Sequence, residues 1–400
     1  MLGFDYELRR RGFAGNSCQI ILELSVPINP SALEARVSDL SRQHPIIRSR
    51  PARRLRPQWK PTRFIPRVRV HTGAGLRQQL FNEPLQIRRG ELMRFDLIER
   101  TLIFTWAHAL MDANSAEYFL ALVGNRDLPF PEAGEDWYAQ RAKSAGGFRQ
   151  ARGSLARLDQ FGRALPVSLA TVRPPVTPTM KYEAVTFSAQ ESARIQSHGK
   201  RLCGFLGQTN FHLAATLVEL HRLHQRTRCP SASYVLPIPV GLRPKGTRAP
   251  LFSNQVTMML HQFLPEQLQT MEQAVAVIKT QNADSIRDGQ IDSSIALGQM
   301  FRGLPLPVYM PLVKHPLRGE ICSMFFGDTG AVETELTGFL GASLEGFIHV
   351  PAVTVPPGIG IVFYRFRDQL RFTLVRADGT LTDEEAAEFA RQLRERLLNP

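Results

Sequence analysis

The sequence predicts an α/β protein of two lobes, and three observations predict it. The chain has 400 residues, more than one hydrophobic core ordinarily holds. Strand-like and helix-like segments alternate through both halves, the pattern of layered α/β units. Between the halves, residues 166–180 read PVSLATVRPPVTPTM, proline-rich and without periodicity, which marks a linker. The expected division is a first lobe over 1–165, the linker over 166–180 and a second lobe over 181–400.

In the first half, residues 17–26 read as a strand. Residues 31–43 read as a helix, with Ser31 as cap, Glu34 three positions on, and Leu33, Val37 and Leu40 on one face. That helix stops before His44-Pro45, because the residue before proline avoids helical angles. Short strands are expected over 58–64 and 67–71, then a helix over 74–82. Residues 92–98 and 101–107 form a hairpin, with Leu102, Phe104 and Trp106 on one face of its second strand. A helix follows near Asn114, where Asn114 and Glu117 resemble a capping box.

The second half repeats the alternation. Strands are expected over 181–188, 234–240, 254–264 and at 324–326, with a hairpin over 358–366 and 369–376. Helices are expected over 189–200, 210–225, 268–288 and 382–398, the last with Thr382 as cap and Glu385 three later. Residues 338–346, with Phe339 and Leu340, could line an acyl-binding wall or belong to packed core.

Composition excludes several classes. The chain is 43% hydrophobic and 21% charged, which is globular. It has no internal repeat and no long low-complexity tract, so neither a solenoid nor a disordered chain is expected. No apolar run reaches the length of a membrane span. The start, Met1-Leu-Gly-Phe-Asp-Tyr-Glu, lacks the basic-then-apolar order of a signal peptide, so the cytoplasm is the expected compartment. Cys18, Cys203, Cys229 and Cys322 form no CxxC pair and read as buried thiols, not as a disulfide framework or zinc site.

The formal charge is +13, from 49 basic and 36 acidic residues. The densest run holds Arg48, Arg50, Arg53, Arg54, Arg56, Lys60, Arg63, Arg67 and Arg69. Such a surface attracts polyanions. The phosphates of coenzyme A, an acidic carrier protein, an anionic lipid surface touched peripherally, and nucleic acid are the candidates. No zinc finger, RNP motif or basic-helix pattern is present, so nucleic acid is not an expected partner.

Residues 104–114, FTWAHALMDAN, carry the most chemistry. His108 stands where a strand ends, and Asp112 stands just before a helix. An imidazole at a strand edge can face a cleft, and it is the side chain best suited to proton transfer near neutral pH. An aspartate four residues on can hold the loop by pairing with a distant arginine. The pattern alone is weak: Asp112 could simply cap the helix, and His108 could be a satisfied core residue. His221 and His224 share a helix with nearby His212, but no carboxylate or cysteine completes a metal set, so a solvated face is expected there. Gly327 to Gly330 lack the Lys-Ser/Thr ending of a phosphate loop.

The wider sequence adds context. Residues 82–94, NEPLQIRRGELMR, then the hairpin, then 107–112, AHALMD, resemble the core of the condensation-domain and chloramphenicol-acetyltransferase-like superfamily. Upstream, residues 42–50, RQHPIIRSR, resemble that family's RHPxLR segment. Downstream, 236–244, LPIPVGLRP, and 251–255, LFSNQ, resemble its second-domain proline–arginine and GN pattern. The blocks stand in the family's order and span most of the chain.

The resemblance implies two similar lobes, each a mixed sheet flanked by helices, with an active-site tunnel between them open to donor and acceptor. It implies that His108 is the general base, and that Asp112 is structural and pairs with an arginine. By position Arg48 or Arg50 is the expected partner, since a buried carboxylate left alone is costly. Ala107 stands where many relatives carry a second histidine, and Ala113 where many carry glycine.

The expected reaction is transfer of an acyl group from a thioester to a hydroxyl or amine of a lipid or secondary metabolite. The donor is acyl-CoA or an acylated phosphopantetheinyl carrier protein, as co-substrate. A general base supplies about 10²–10⁴-fold. The remainder must come from positioning and from donors to the developing oxyanion. Asn254 and Ser323, near cleft-facing strand ends, are candidate donors, and Trp106 is a candidate tunnel residue. No metal or redox cofactor is implied, and a monomer is expected. The rival reading is a catalytically silent module that docks a carrier protein or another enzyme.

Overall fold

The computed structural model describes all residues except 54–56, 74, 132–134, 145–146, 206 and 245, and omits the side chains at 53, 57, 144 and 148. The first half runs α1 Leu2–Arg10, β1 Ser17–Leu24, α2 Pro30–Gln43, β2 Ser49–Arg53, β3 Pro57–Pro61, β4 Arg67–His71, α3 Leu76–Phe81, β5 Met93–Ile98, β6 Thr101–Ala107, α4 Ala113–Gly124, α5 Trp137–Ser144, α6 Phe148–Phe161 and α7 Leu169–Val172. The second runs β7 Met180–Thr186, α8 Ala189–Cys203, α9 Gln208–Arg226, β8 Tyr234–Gly241, β9 Val256–Phe263, α10 Met271–Arg287, α11 Gln290–Phe301, α12 Leu306–Lys314, β10 Phe325–Ala331, β11 Gly338–Phe339, β12 Ala342–Val350, β13 Ile359–Phe366, β14 Gln369–Ala377 and α13 Asp383–Leu398.

A six-stranded sheet, ordered β11-β12-β1-β6-β5-β4, forms the first lobe, and a four-stranded sheet, ordered β10-β13-β14-β7, forms the second. β2-β3 and β8-β9 make separate two-stranded ribbons. The alternation of β6 sorts its side chains as the strand period requires. Leu102, Phe104 and Trp106 enter the first lobe's core with Phe119 and Leu122 of α4, while Ile103 faces the other way. The second core packs Phe363, Phe372 and Leu374 against α8, α9, α10 and α13. A third cluster, including Leu8, Ile21, Ile103, Met180, Val353 and Val375, draws on both halves and joins them.

The segment over 338–346 is a hairpin, β11 and the start of β12 joined by a turn at 340–341. β12 pairs antiparallel with β1, His349 opposite Ile20, so the second half of the chain lends two strands to the first lobe. The residues of 166–180 are anchored. Val167 N–H donates to Ser231, Ser168 N–H to Glu320, and Met180 is held through Asn82.

Two helix starts differ from expectation. Asn29, not Ser31, caps α2: its side chain accepts the Ser31 N–H, and Pro30 takes the first helical position, where its missing N–H costs nothing. Asp112, not Asn114, caps α4. The capping boxes Ser188–Glu191 and Thr382–Glu385 both form.

The histidines of α9 are not solvated. His212, His221 and His224 are all buried, because α9 lies between the second sheet and α8, α10 and α13. Their rings meet separate partners: Asp328 at 3.0 Å, the Tyr234 hydroxyl at 3.0 Å and the Cys229 carbonyl at 2.8 Å. The basic run also divides. Arg67 pairs with Glu91, and Arg69 with Glu83 and Asp96, while Arg50, Lys60 and Arg63 are exposed. Arg54 and Arg56 lie outside the described residues. Among the described residues no helix is long and apolar enough to cross a membrane.

Candidate active site

β6 ends at Ala107, and the chain turns through His108 to Met111 before α4 begins. This turn is held at every step. The His108 N–H donates to the Asn16 carbonyl (3.0 Å), and Leu110 N–H closes back onto Ala107 (2.9 Å). The Trp106 indole donates to the Met111 carbonyl at 3.1 Å. His108 Nδ1 lies 3.4 Å from that same carbonyl. A carbonyl only accepts, so this contact places the hydrogen on Nδ1 and leaves the lone pair on Nε2.

The second lobe grips the turn from the other side. Asn254 Nδ2 donates to the His108 carbonyl at 2.8 Å. Asp112 accepts the Ser115 N–H at 3.0 Å as helix cap, the Gln255 N–H at 2.9 Å and Arg243 Nη1 at 2.7 Å. Arg243 Nη2 reaches the Ser115 hydroxyl at 2.7 Å and the Pro250 carbonyl at 2.9 Å. Asp112 is therefore both cap and ion-pair partner, and the two roles use different oxygens.

The structure corrects the partner of Asp112. Arg48 instead donates to the carbonyls of Ser41 and Thr62. Arg50 is exposed on the β2-β3 ribbon, opposite Lys60. Arg243 does what Arg48 and Arg50 were expected to do. Its signal was present, since it stands in the LPIPVGLRP block, but the pairing crosses 131 positions and spacing cannot reveal it. Trp106 is fully buried in the first core and braces the turn from behind; it does not line an opening. Ser323 is likewise fully buried. Its hydroxyl accepts the Val235 N–H and its own N–H donates to the Val235 carbonyl, fastening the start of β10 to β8, and its full burial keeps it from facing an opening. Asn254 does meet the turn, through the His108 backbone; its Oδ1 is buried without a partner. Ala113 is the first residue of α4 and has no positive φ, so the turn does not need a glycine there.

His108 is partly buried. Protein packed around it disfavours the charged form and lowers its pKa from the ordinary 6.5, burial being the chief cause. A neutral imidazole with Nε2 free is what a general base requires. Two buried titratable groups of the first lobe have environments that the sequence did not show. His349 on β12 is buried beside Trp106, its ring 6.1 Å from the indole, and its Nδ1 has no partner. Burial first, then the His108 charge, push its pKa down to about 3. Glu117 on α4 is buried, and burial pushes its pKa up to about 8. His349 carries no sequence signal, and the capping-box spacing of Glu117 says nothing of its burial; each becomes notable only through what covers it.

A small cavity opens at the lobe seam, lined by Phe13, Ser17, Phe81, Asn82, Met180 and Val353 among others. His108 is not in its lining, although Ser17 is the strand partner of Ala107. Among the described residues, no cluster of three or more His, Cys, Asp or Glu is placed to hold a metal.

No family model matches the sequence, and no curated protein matches it. Solved structures do match, over nearly the whole chain. The first condensation domain of the calcium-dependent antibiotic synthetase, in complex with a substrate analogue, superposes with a TM-score of 0.74 at 14% identity, covering 100% of this chain and 95% of that one. Trichothecene 15-O-acetyltransferase from Fusarium sporotrichioides gives 0.70 at 14% identity, covering 99% and 92%. The epimerization domain from the third module of tyrocidine synthetase B gives 0.66 at 12% identity, covering 99% and 94%. A fold shared by proteins so named does not by itself fix a reaction. The chain has the two-lobed α/β fold of condensation domains and their chloramphenicol-acetyltransferase-like relatives.

Proposed function

We propose that this chain is an acyltransferase in which His108 is the general base. One observation carries the reading: a partly buried imidazole, with Nδ1 turned to the Met111 carbonyl and no partner on Nε2 among the described residues, sits on a turn that both lobes hold. In the reaction, Nε2 takes the proton from an acceptor hydroxyl or amine as its oxygen or nitrogen attacks a thioester carbonyl. The new C–O or C–N bond forms, the C–S bond breaks, and the imidazolium returns the proton to the departing thiolate. Acceptor and donor atoms balance, and no redox partner or metal enters. The base contributes about 10²–10⁴-fold, and the clamped backbone supplies positioning.

The donor is acyl-CoA or an acyl carrier protein, and the acceptor a lipid or secondary metabolite bearing a hydroxyl or amine. Condensation domains and an acetyltransferase among the fold neighbours support this class. The test is transfer from a panel of acyl thioesters by wild type and by His108→Ala. Turnover should collapse in the variant while donor binding persists. If the wild type transfers nothing across the panel and the substitution changes no binding, the silent docking module is the correct reading.

A further inference from the structure

The β2-β3 ribbon is separate from both large sheets and belongs to a stretch with charge of one sign. Between Asp39 and Glu83 the chain holds eleven Lys or Arg and no Asp or Glu. Some of these cations find carboxylates: Arg42 pairs with Asp39, Arg67 with Glu91, Arg69 with Glu83 and Asp96, and Arg77 with Glu23. The side chains of Arg50, Lys60 and Arg63 pair with no described carboxylate, and all three are exposed.

The ribbon has an inner and an outer face. Trp59 packs against the first core, and Pro51 is its partner across the ribbon. Side chains alternate along a strand, so Lys60 and Arg50, the neighbours of that pair, turn outward. They stand directly opposite each other, and like charges in that position repel. The fold gains nothing from this arrangement; a counter-charge from outside the chain would relieve it.

Two neighbouring segments extend the surface. The Thr62 N–H and hydroxyl both donate to the Arg48 carbonyl, at 2.8 and 2.7 Å, which ties the chain leaving β3 to the root of β2. Arg63 is three residues from Lys60, at most about 11 Å along the backbone. Gly90, with φ +100°, leaves no room for a Cβ beside the Thr62 hydroxyl, so the short turn Ile87–Arg89 ends against this same corner. β2 packs along that turn, which exposes Arg88 and Arg89. Ile65, two residues from Arg63, is 51% exposed.

We propose that the outer face of the β2-β3 ribbon, with Arg63, Ile65 and Arg88, is a docking surface for an anionic lipid bilayer. The inference is independent of the acyl-transfer reading. The cations spread over an open ribbon and a turn, which suits an extended anionic sheet better than a single phosphate group. Each basic side chain near such a surface strengthens attachment about fivefold, and the formal charge of +13 adds attraction at longer range. Ile65 dips beneath the headgroups, a contact for which a nucleic-acid backbone offers no place.

The test is cosedimentation of the full chain with vesicles of phosphatidylcholine alone and of phosphatidylcholine mixed with phosphatidylglycerol. Binding should need phosphatidylglycerol and should weaken as salt is raised. Lys60→Glu and Arg88→Glu should each lower the partition coefficient about fivefold or more, with melting temperatures at the wild-type value. Arg163→Glu, at an exposed residue past α6, changes the net charge equally and should leave partition nearly unchanged. Ile65→Ser should lower it at constant charge. Absence of wild-type binding to the mixed vesicles overturns the proposal, and so does an equal loss in Arg163→Glu. Vesicle binding that Ile65→Ser leaves unchanged, beside DNA-duplex binding that Lys60→Glu and Arg88→Glu abolish, assigns the surface to nucleic acid and also overturns it.

Discussion

Arg243 Nη1 lies 2.7 Å from Asp112 Oδ2, and through this pair the second lobe holds the turn that carries His108. Both side chains are largely buried. Replacing Arg243 with alanine leaves a buried carboxylate without its cation, which should cost about 3 kcal/mol of stability and most of the activity. Arg243→Lys keeps the charge but loses the second arm to Ser115 and Pro250, so it should fall between. Urea unfolding with parallel rate measurement checks both; a variant as stable as wild type would remove the pair from the argument.

The turn has a second brace behind it. Trp106→Phe keeps the buried ring but removes the only donor that the indole supplies to the Met111 carbonyl. The expected cost is about 1 kcal/mol. Asn254→Ala releases the His108 carbonyl, and kcat should fall roughly 10- to 100-fold. KM should hold in both, because each acts through the His108 backbone or ring position and not on the substrate. A rise in KM at constant kcat would make Asn254 a substrate ligand instead.

His108 acts while neutral, and burial holds its pKa below 6.5. The acid limb of kcat/KM should therefore lie below pH 6.5, with activity level from there upward until the acceptor or protein titrates. A pH–rate profile measured with one donor and acceptor pair settles it. An acid limb centred above about pH 7 would require a different base.

Glu117 titrates in the opposite sense. Its folded pKa, about 8, lies above its ordinary 4.5, so the folded state favours the neutral acid. That contribution is complete below 4.5 and is lost as the pH rises through about 8. Glu117→Gln removes the dependence. Its melting temperature should gain on wild type progressively from about pH 5 to about pH 9; a constant difference would mean that Glu117 is ionised throughout.

Acid should destabilise the fold through buried imidazoles. His224 and His261 are lowered to about 4 and His349 to about 3, in each case chiefly by burial. The unfolded chain binds protons at these residues that the folded chain refuses. Stability is full above 6.5 and falls as pH drops toward 4. Denaturant midpoints across that range, compared with His349→Gln, measure the share of one ring.

Much of this molecule was legible in its residues. Local rules placed β1, β5, β6, β13, β14, α8, α9 and α13, because their signals are periodicity, caps and turns among neighbours in sequence. His108 and Asp112 were legible for the same reason, at four residues' spacing and at the junction of strand and helix. What the sequence could not determine were relationships between distant segments. The union of β12 with β1 depends on backbone pairing across more than 300 positions, and no side-chain pattern announces it. The choice of Arg243 over Arg48 and Arg50 depends on which guanidinium the folded lobes bring to a buried carboxylate. The withdrawal of Trp106 and Ser323 into the core, and the burial of His212, His221 and His224, depend on what packs above them. Chemical type and local shape are properties of neighbours along the chain; burial, ion-pair choice and proton affinity are properties of neighbours in space, and only the tertiary structure decided those.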